Sequence, residues 1–369
     1  MMEEYMRRAI SLARRGIGLV SPNPLVGAVI VKNGEIIGEG WHKKYGDLHA
    51  ERDALKNAST SADDAIMFVT LEPCCHQGKQ PPCTEAIIES KISEVYIGSR
   101  DPNPLVSGKG VAILRENGII VHEDFLKDEC DELNTVFFHY IKEKIPYVVM
   151  KYAMTMDGRI ATKSSKSKWV TGAIAREHVH KQRGKYSSIM VGSSTVIKDN
   201  PELSCRVDGG RNPIRIVVDS KLVTPFESKI VTMAKDIRTI IATTSNDEDK
   251  INKYKENAVE ILKIAENDGH VDLAKMIKEL GALGIDSIYV EGGGGLHAAM
   301  LKYGLYDRAE IYIAPKIFGG INAKMPVLGE GVDDPSEAFK LKNMSVTRLG
   351  EDFLFEGDFK AGGKLCLPD

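Results

Sequence analysis

"LEPCCHQGKQPPC", Leu71 to Cys83, holds three of the chain's six cysteines, a histidine and three prolines. Such a stretch suits a disulfide knot, a structural zinc clip, a redox pair or part of a catalytic metal site, and each choice implies a different protein around it. The flanks narrow the choice. "AIMFVTLEP" reads as a buried strand that ends just before Cys74, and "PPCTEAIIESKI" reads as a helix that begins near Cys83. Strand, cysteine loop and helix in succession belong to an α/β layer structure.

Composition bounds what that structure can be. The chain has 369 residues, long for a single core, so two domains are expected. Hydrophobic content of 43% and charged content of 27% describe an ordinary globular protein, and a formal net charge of -3 gives no electrostatic reason to expect nucleic acid as a partner. No apolar run approaches the roughly 18 residues needed to span a bilayer. The opening "MMEEYMRRAISLARRG" is charged and amphipathic and does not read as a signal peptide. Cysteines in such a chain are expected as reduced thiols or metal ligands, in a cytoplasmic protein.

Outward from the cysteines, residues 3–15 have the spacing of an amphipathic helix. "GAVIVKNGEIIGEGW" is two apolar runs joined by Asn33-Gly34, a strong hairpin signal. "LHAERDALKNA" reads as a helix opening near His49, and "EVYIGSRDPNP" and "NGIIVHED" supply further strands. A charged helix, "DECDELNTVFFHYIKEKIP", leads to Pro146, where a second pattern begins. "YVVMKYAMTMDGRIA", "SSIMVGSSTV", "IRIVVDS", "RTIIATTS" and "SIYVEGGGG" are expected strands, with helical segments between several of them. "AEIYIAPKI" and "EDFLFEGDF" look like closing strands, antiparallel in part. The expected domains are residues 1–145 and 146–369.

"HAE" puts the His49 imidazole and the Glu51 carboxylate at a helix start. Cys74 follows a strand, and Cys83 begins a helix, where the dipole favours a thiolate. One neutral histidine and two thiolates give a zinc site with no net charge and one open position, the ligation of a catalytic rather than a structural site. The open position would hold a water acidified by the metal, with Glu51 placed to shuttle its protons. This is the logic of the zinc deaminases, H-x-E followed by P-C-x-x-C, except that the second cysteine lies nine positions on. A closed site completed by Cys75 and His76 would leave Glu51 unused, so Cys75 is read as a packing or spectator thiol.

"HAE" and "EPCCHQGKQPPC", with "SPNPLVGAVIV" before and "RDPNPLVSGKG" after, closely resemble the bifunctional deaminase/reductase family of riboflavin biosynthesis, along nearly the whole chain. The resemblance implies an N-terminal cytidine-deaminase-like α/β/α domain and a C-terminal dihydrofolate-reductase-like α/β domain. It also implies zinc and NADPH as cofactors. The first domain would remove an amino group from a diaminopyrimidinone ribosyl phosphate, and the second would reduce the ribose to a ribityl chain. The implied metal ligands are His49, Cys74 and Cys83, and Asn23, His42, His76, Lys79, Asp101 and Asn103 become substrate contacts. Asn23 and Asn103 also suit plain turns before proline, and Lys79 a solvated loop. His122, His139 and His270 have no such support and are read as surface or satisfied residues.

In the second half, "SIYVEGGGGLHAAM" is a strand, a glycine run and a helix, which suits either a phosphate at a helix N-terminus or a tight connection. The resemblance places the nicotinamide nucleotide on Gly293, Gly294, Gly295 and Leu296, with Ala153, Trp169, Thr195, Asp199 and Ser220 also on the cofactor side. It places Ser167, Arg183, Leu203, Arg206 and Glu291 on the substrate side. Guanidinium groups such as those of Arg183 and Arg206 bind phosphate as bidentate forks. Trp169 equally suits core packing, and Asp199 a cap before Asn200-Pro201. Lys151 and Asp199 are both candidates for handling the proton that accompanies hydride transfer. Ser220 and Lys221, after "IRIVVD", are placed to hold an adenosine 2′-phosphate. "KYAMTMDGRIA" departs from the family's K-x-A-x-S-L-D-G at Thr155 and Met156, keeping a hydroxyl and an apolar group. A homo-oligomer with a small-molecule substrate and neither nucleic acid nor membrane as partner is expected. A nucleic-acid base deaminase would share His49, Glu51 and Cys74 but should be basic and rich in stacking aromatics, whereas this chain has 49 basic against 52 acidic residues and 7% aromatics. A zinc-stabilised binding module would have no use for Glu51.

Overall fold

The computed structural model describes residues 2–77, 80–104 and 106–359, and the chain divides into two compact units, Met1–Lys144 and Ile145–Asp369. No helix among the described residues is long and apolar enough to cross a membrane.

The first unit begins with α1 (Met2–Ala13), which buries Met6, Ala9, Ile10, Leu12 and Ala13 along one face. The hairpin β1 (Gly27–Lys32) and β2 (Glu35–Trp41) turns at Asn33 and Gly34, with φ of 52° and 81°, the left-handed pair a two-residue hairpin loop requires. There follow α2 (Ala50–Lys56), β3 (Ile66–Leu71), α3 (Cys83–Glu89), β4 (Glu94–Ser99), α4 (Lys109–Glu116), β5 (Ile120–His122), α5 (Lys127–Leu133) and α6 (Thr135–Glu143). The sheet runs β2-β1-β3-β4-β5, antiparallel through the hairpin and β3, parallel from β3 to β5. Alternation along the strands divides the core. Ala28, Ile30, Met67 and Val69 pack with Ala50, Ala54, Ile87 and Leu114, while Val29, Val31 and Phe68 pack under α1.

The single charged helix expected before Pro146 is instead two, α5 and α6, broken at Asn134. Asn134 is only 2% exposed; its Oδ1 accepts from the Leu25 N–H at 2.8 Å and its Nδ2 donates to the Leu25 carbonyl at 2.9 Å. A buried amide satisfied on both sides by a distant backbone outcompetes a continuous helix. It also ties the loop before β1 to the start of α6.

The second unit contains β6 (Tyr147–Thr155), α7 (Ala173–Lys185), β7 (Ser188–Gly192), α8 (Ser193–Asp199), β8 (Ile214–Val218), α9 (Lys229–Thr232), β9 (Thr239–Thr243), α10 (Glu248–Glu256) and β10 (Val259–Lys263). It continues through the short β11 (Glu266–Asn267) and β12 (His270–Val271), α11 (Leu273–Ala282), β13 (Ser287–Val290), α12 (Gly294–Lys302), β14 (Arg308–Ala314), β15 (Leu341–Leu349) and β16 (Asp352–Phe359). The large sheet has the order β10-β9-β8-β7-β13-β6-β14-β16-β15. It is parallel from β10 to β14, and β16 and β15 close it antiparallel. "SSIMVGSSTV" stops being a strand at Gly192, and its last residues form the first turn of α8. Because β13 inserts between β7 and β6, the chain leaves the carboxyl ends of β7, β8 and β13 along one edge, where open parallel sheets leave a crevice.

One close approach fixes the site of the first unit. A methyl group at Gly40 on β2 would overlap the Ala54 nitrogen and Ala50 carbonyl of α2, the helix that follows His49. Gly40→Ala should therefore lower the unfolding free energy by about 1–3 kcal/mol, the usual cost of overpacking. Calorimetry that shows an unchanged melting temperature would contradict the tight seating of α2.

Candidate active sites

In the first unit three segments converge. His49 is the residue before α2, Cys74 lies just beyond β3, and Cys83 opens α3. The Cys83 N–H donates to the Cys74 carbonyl at 3.0 Å, with its sulfur 3.4 Å away, so the cysteine loop folds back on itself. His49 Nδ1 lies 3.4 Å from both Cys74 Sγ and Cys83 Sγ. Among the described residues these three form the cluster whose ligand atoms all lie within 4.8 Å of one another. A tetrahedral zinc with usual bond lengths sets nitrogen and sulfur ligands about 3.5 Å apart, so the donor set fits that ion without rearrangement. Cys75 and His76 are not part of the cluster. Hydrogen bonding from Cys83, helped by His49, brings the Cys74 thiol down to about 4. The Cys74 partner and burial push Cys83 well above the ordinary thiol range. The pair shares one proton, which a cation would displace.

Glu51, only 3% exposed, has its carboxyl pushed up by burial and then by the Cys74 charge. His49, Glu51 and Cys74 line a cavity of about 340 Å³, together with Asn23, His42, His76, Asp101 and Asn103. The cavity thus gathers every expected deaminase contact except Lys79, which lies outside the described residues. His42 Nδ1 contacts the Leu48 carbonyl at 3.0 Å, and Nε2 lies 3.1 Å from the Asn23 amide nitrogen. With Nδ1 donating and Nε2 accepting, the ring is neutral, and burial lowers its pKa in agreement. Burial raises Asp101 to about 6, against the Asn103 N–H that its Oδ1 accepts at 2.8 Å. Asn103 therefore serves the turn as well as the cavity.

Sequence reasoning missed the wall formed by Phe137, Tyr140 and Ile141 of α6, and Gln80, whose Nε2 donates to the Gly46 carbonyl at 3.3 Å. A helix is expected over this stretch, but no local signal places α6 against the cavity, because the Asn134 clamp that does so is a contact across 109 residues. Glu72 is a supporting group: its buried carboxylate accepts from the Gly108 and Gly110 N–H groups, each at 3.1 Å, and holds the entry to α4.

The second unit carries a cavity of about 940 Å³ along the crevice edge of its sheet. Ser167, Thr195, Asp199, Ser220, Lys221 and the run Gly293–Leu296 all line it. Gly293 caps α12 in extended backbone, and a side chain at Gly295 would enter open space. Gly294 differs: a methyl there would meet Leu328 and the Met325 carbonyl, so this glycine serves packing. The Ser220 hydroxyl accepts from the Val271 N–H at 3.0 Å and pins β12 beside the cavity. His270, expected at the surface without a role, lines the same cavity from β12.

Lys151, Arg183 and Glu291 form a separate buried group. Arg183 grips Glu291 with Nε and Nη2 at 2.7 and 2.9 Å, and Lys151 Nζ reaches it at 3.3 Å. Burial alone would raise the Glu291 carboxyl, but Arg183 and Lys151 hold it well below the usual carboxylate range. The guanidinium fork expected to face phosphate is thus already engaged by Glu291. Leu203 is buried in an apolar cluster with Val196 and Ile189, so only its backbone is available for contact. Arg206 is exposed and pairs with Glu202 at 3.2 Å. Ala153 lies on β6, two residues beyond Lys151. Trp169 is 60% exposed beneath the Arg176 guanidinium, which excludes the core-packing reading.

Residues 146–355 match the family model of the RibD C-terminal domain, and residues 1–99 match that of the cytidine and deoxycytidylate deaminase zinc-binding region. The riboflavin biosynthesis protein RibD of Actinobacillus pleuropneumoniae is 50% identical over 353 residues, covering 96% of this chain and 94% of the relative. RibD of Escherichia coli K12 is 38% identical, covering 95% and 97%. The structure of Acinetobacter baumannii RibD superposes with a TM-score of 0.87 at 33% identity, covering 97% of this chain and 98% of that one. A Thermotoga maritima diaminohydroxyphosphoribosylaminopyrimidine deaminase/5-amino-6-(5-phosphoribosylamino)uracil reductase superposes with a TM-score of 0.86 at 40% identity and the same coverage.

The depressed Glu291 carboxyl makes the second unit sensitive to acid. Its stabilisation is fully present above the unfolded carboxyl value of about 4.3 and is lost as pH falls toward the lower folded value. Glu291→Gln should flatten that acid limb and cost about 3–5 kcal/mol near neutral pH by leaving two buried cations less compensated. Denaturant titrations at several pH values check both; an unchanged acid limb in the variant would sink the assignment.

Proposed function

The chain belongs to the RibD family, the bifunctional deaminase/reductases of riboflavin biosynthesis, and we propose how its residues divide that work between the two units. The family resemblance carried by "HAE", "EPCCHQGKQPPC" and "RDPNP" is borne out, as are zinc and NADPH as cofactors. In this reading, Met1–Lys144 deaminates 2,5-diamino-6-(5-phosphoribosylamino)pyrimidin-4-one and Ile145–Asp369 reduces the ribosyl group of the product. The observation that carries it is the meeting of His49, Cys74 and Cys83 with the buried Glu51 beside one cavity.

His49 Nδ1 and the two sulfurs would hold zinc, which supplies a water of lowered pKa. Glu51 is not a ligand here; it takes a proton from the attacking water and delivers it to the departing nitrogen. Its raised pKa suits a group that must both accept and release a proton. The neutral His42 and Asn23, fixed against each other, orient the pyrimidine. His76, Lys79, Asp101 and Asn103 hold the remainder of the substrate.

In the second unit Thr195 and Gly293–Leu296 would hold NADPH, which would supply the hydride. Lys221 beside Ser220 offers a cation for the 2′-phosphate. Ser167, Arg183, Arg206 and Glu291, with the Leu203 backbone, form the substrate side. Lys151, an ammonium kept against Glu291, is favoured over the exposed Asp199 as the group that gives the accompanying proton. None of the described cysteines is joined in a disulfide, which supports a reducing, cytosolic compartment. A homo-oligomer is also proposed, because the last strand in the sheet order, β15, leaves Met344 and Val346 uncovered.

Two experiments test the first unit. Cys83→Ser should lose bound zinc and ammonia release together, whereas Cys75→Ser should keep both near parental values; metal analysis showing zinc loss in the Cys75 variant would restore a closed structural site. Glu51→Gln keeps size and most hydrogen bonding but cannot accept a proton. Ammonia release should fall by about 10²–10⁴-fold, the usual worth of general acid–base help, with zinc content unchanged. Reduction of the deaminated intermediate by NADPH should continue at nearly the parental rate. Loss of both activities in a folded, zinc-replete variant would show that the two sites are not independent.

A further inference from the structure

Arg215, the second residue of β8, is fully buried at 0% exposure. Among the described residues none of its hydrogen bonds goes to a carboxylate. Nε and Nη2 donate to Thr239 Oγ1 at 2.9 and 2.6 Å, Nη2 also to the Ile237 carbonyl at 3.0 Å, and Nη1 to the carbonyls of Glu202 and Lys229 at 3.4 and 3.5 Å. Burial lowers the guanidinium to about 10, so it is still charged near neutral pH. A buried cation bonded to no carboxylate, though partly offset by the Asp236 charge, is costly, and an apolar side chain would fill the same space more cheaply. Its worth must lie in what its donors hold.

One of them reaches the loop between α8 and β8: Nη1 donates to the Glu202 carbonyl, while the remaining bonds go to Thr239 and to the carbonyls of Ile237 and Lys229. Asn200 and Leu203 both adopt left-handed backbone, with φ of 40° and 52°, in a stretch without glycine. Such conformations persist where the surroundings over-determine them. Asn200 is fixed by the Lys229 N–H, Leu203 by burial, and the Glu202 carbonyl between them by Arg215. Past this constraint the Ser204 carbonyl accepts from Arg183 Nη1 at 3.2 Å, the same guanidinium that grips Glu291, and Arg206 emerges to the surface.

We propose that Arg215 is a positioning residue for reduction: through the Glu202 carbonyl it sets the course of residues 200–206 and so the placement of Arg183 and Arg206 toward the phosphoribosyl substrate. The inference rests on the reading that this loop faces that substrate. The cofactor side supplies an internal control, because β8 ends at Val218 and, with the Asp219, Ser220 and Lys221 that follow it, lines the cofactor cavity.

In the full-length enzyme Arg215→Met should raise KM for the deaminated intermediate by about tenfold to 100-fold, the cost expected when a contact is misplaced by about an ångström. KM for NADPH and the rate of ammonia release should remain near parental. A merely structural role would disturb β8 as a whole and raise both Michaelis constants together, and that result overturns the proposal. Thr239→Val removes the hydroxyl acceptor with little change of shape and carries the test if Arg215→Met does not accumulate as folded protein. It should give a smaller rise confined to the intermediate; unchanged constants in a folded Thr239→Val overturn the proposal. Arg206→Ala separates the two claims: a raised KM there with none in Arg215→Met overturns the role of Arg215 alone, and no change in either removes the loop from the substrate site.

Discussion

His49 Nδ1 sits 3.4 Å from the sulfurs of both Cys74 and Cys83, and three lone-pair donors so close repel one another unless a proton or a cation lies among them. The first unit is arranged to impose that encounter. The donors come from the start of one helix, the end of one strand and the start of another helix, and none can move independently. Gly40 lets α2 press against β2 and thereby sets the height of His49. Backbone bonds from Cys83 and Thr84 to the Cys74 carbonyl join the two cysteines before any ion is considered. Glu51, the second residue of α2, is carried into the same place, buried but without ligand duty. The convergence of the metal donors and the presence of a general base are consequences of the same few contacts.

The second unit meets buried charge differently, by compensating it within the protein. Glu291 lies between Arg183 and Lys151, and the buried Glu310 carboxylate beside Lys151 is held by the Tyr186 and Tyr289 hydroxyls. Glu291 directly follows β13 and directly precedes the glycine run, so one stretch of chain serves both the ion cluster and the cofactor cavity. That economy follows from placing β13 between β6 and β7.

Much of this was legible in the chain. Asn33-Gly34 declares the hairpin because few other pairs tolerate its φ values, and "HAE" with the two proline-flanked cysteines declares the metal chemistry because those groups have few other common uses. What escaped depends on contacts distant in sequence. The break at Asn134 is set by Leu25, and the α6 wall of the deaminase cavity follows from it. The serines after "SSIMVG" suit strand or helix equally until Gly192 caps α8. β10 and β15 lacked a strong alternating pattern, and β15, exposed along nearly its whole length, has little apolar face to announce it. Leu203 matched a binding position by residue type, yet its side chain belongs to the core and only its backbone can serve.

Magnitudes discriminate between the two arginines that sequence alone treats alike. Arg183 and Glu291 are both nearly buried, and separating such a pair to bind phosphate would cost about 3–5 kcal/mol before anything was gained. The Arg206–Glu202 pair is largely exposed, and exposed pairs of this kind are worth about 0–1 kcal/mol. Glu202 also keeps Lys229 at 2.7 Å as a second partner, so Arg206 can leave without stranding a charge. A phosphate arriving at this edge can therefore recruit Arg206 at little cost, while Arg183 keeps its grip on Glu291 and on the Ser204 carbonyl. In the proposed reading the two guanidinium groups would divide the work: Arg183 shapes the site from within, and Arg206 is the arm available to the substrate's phosphate.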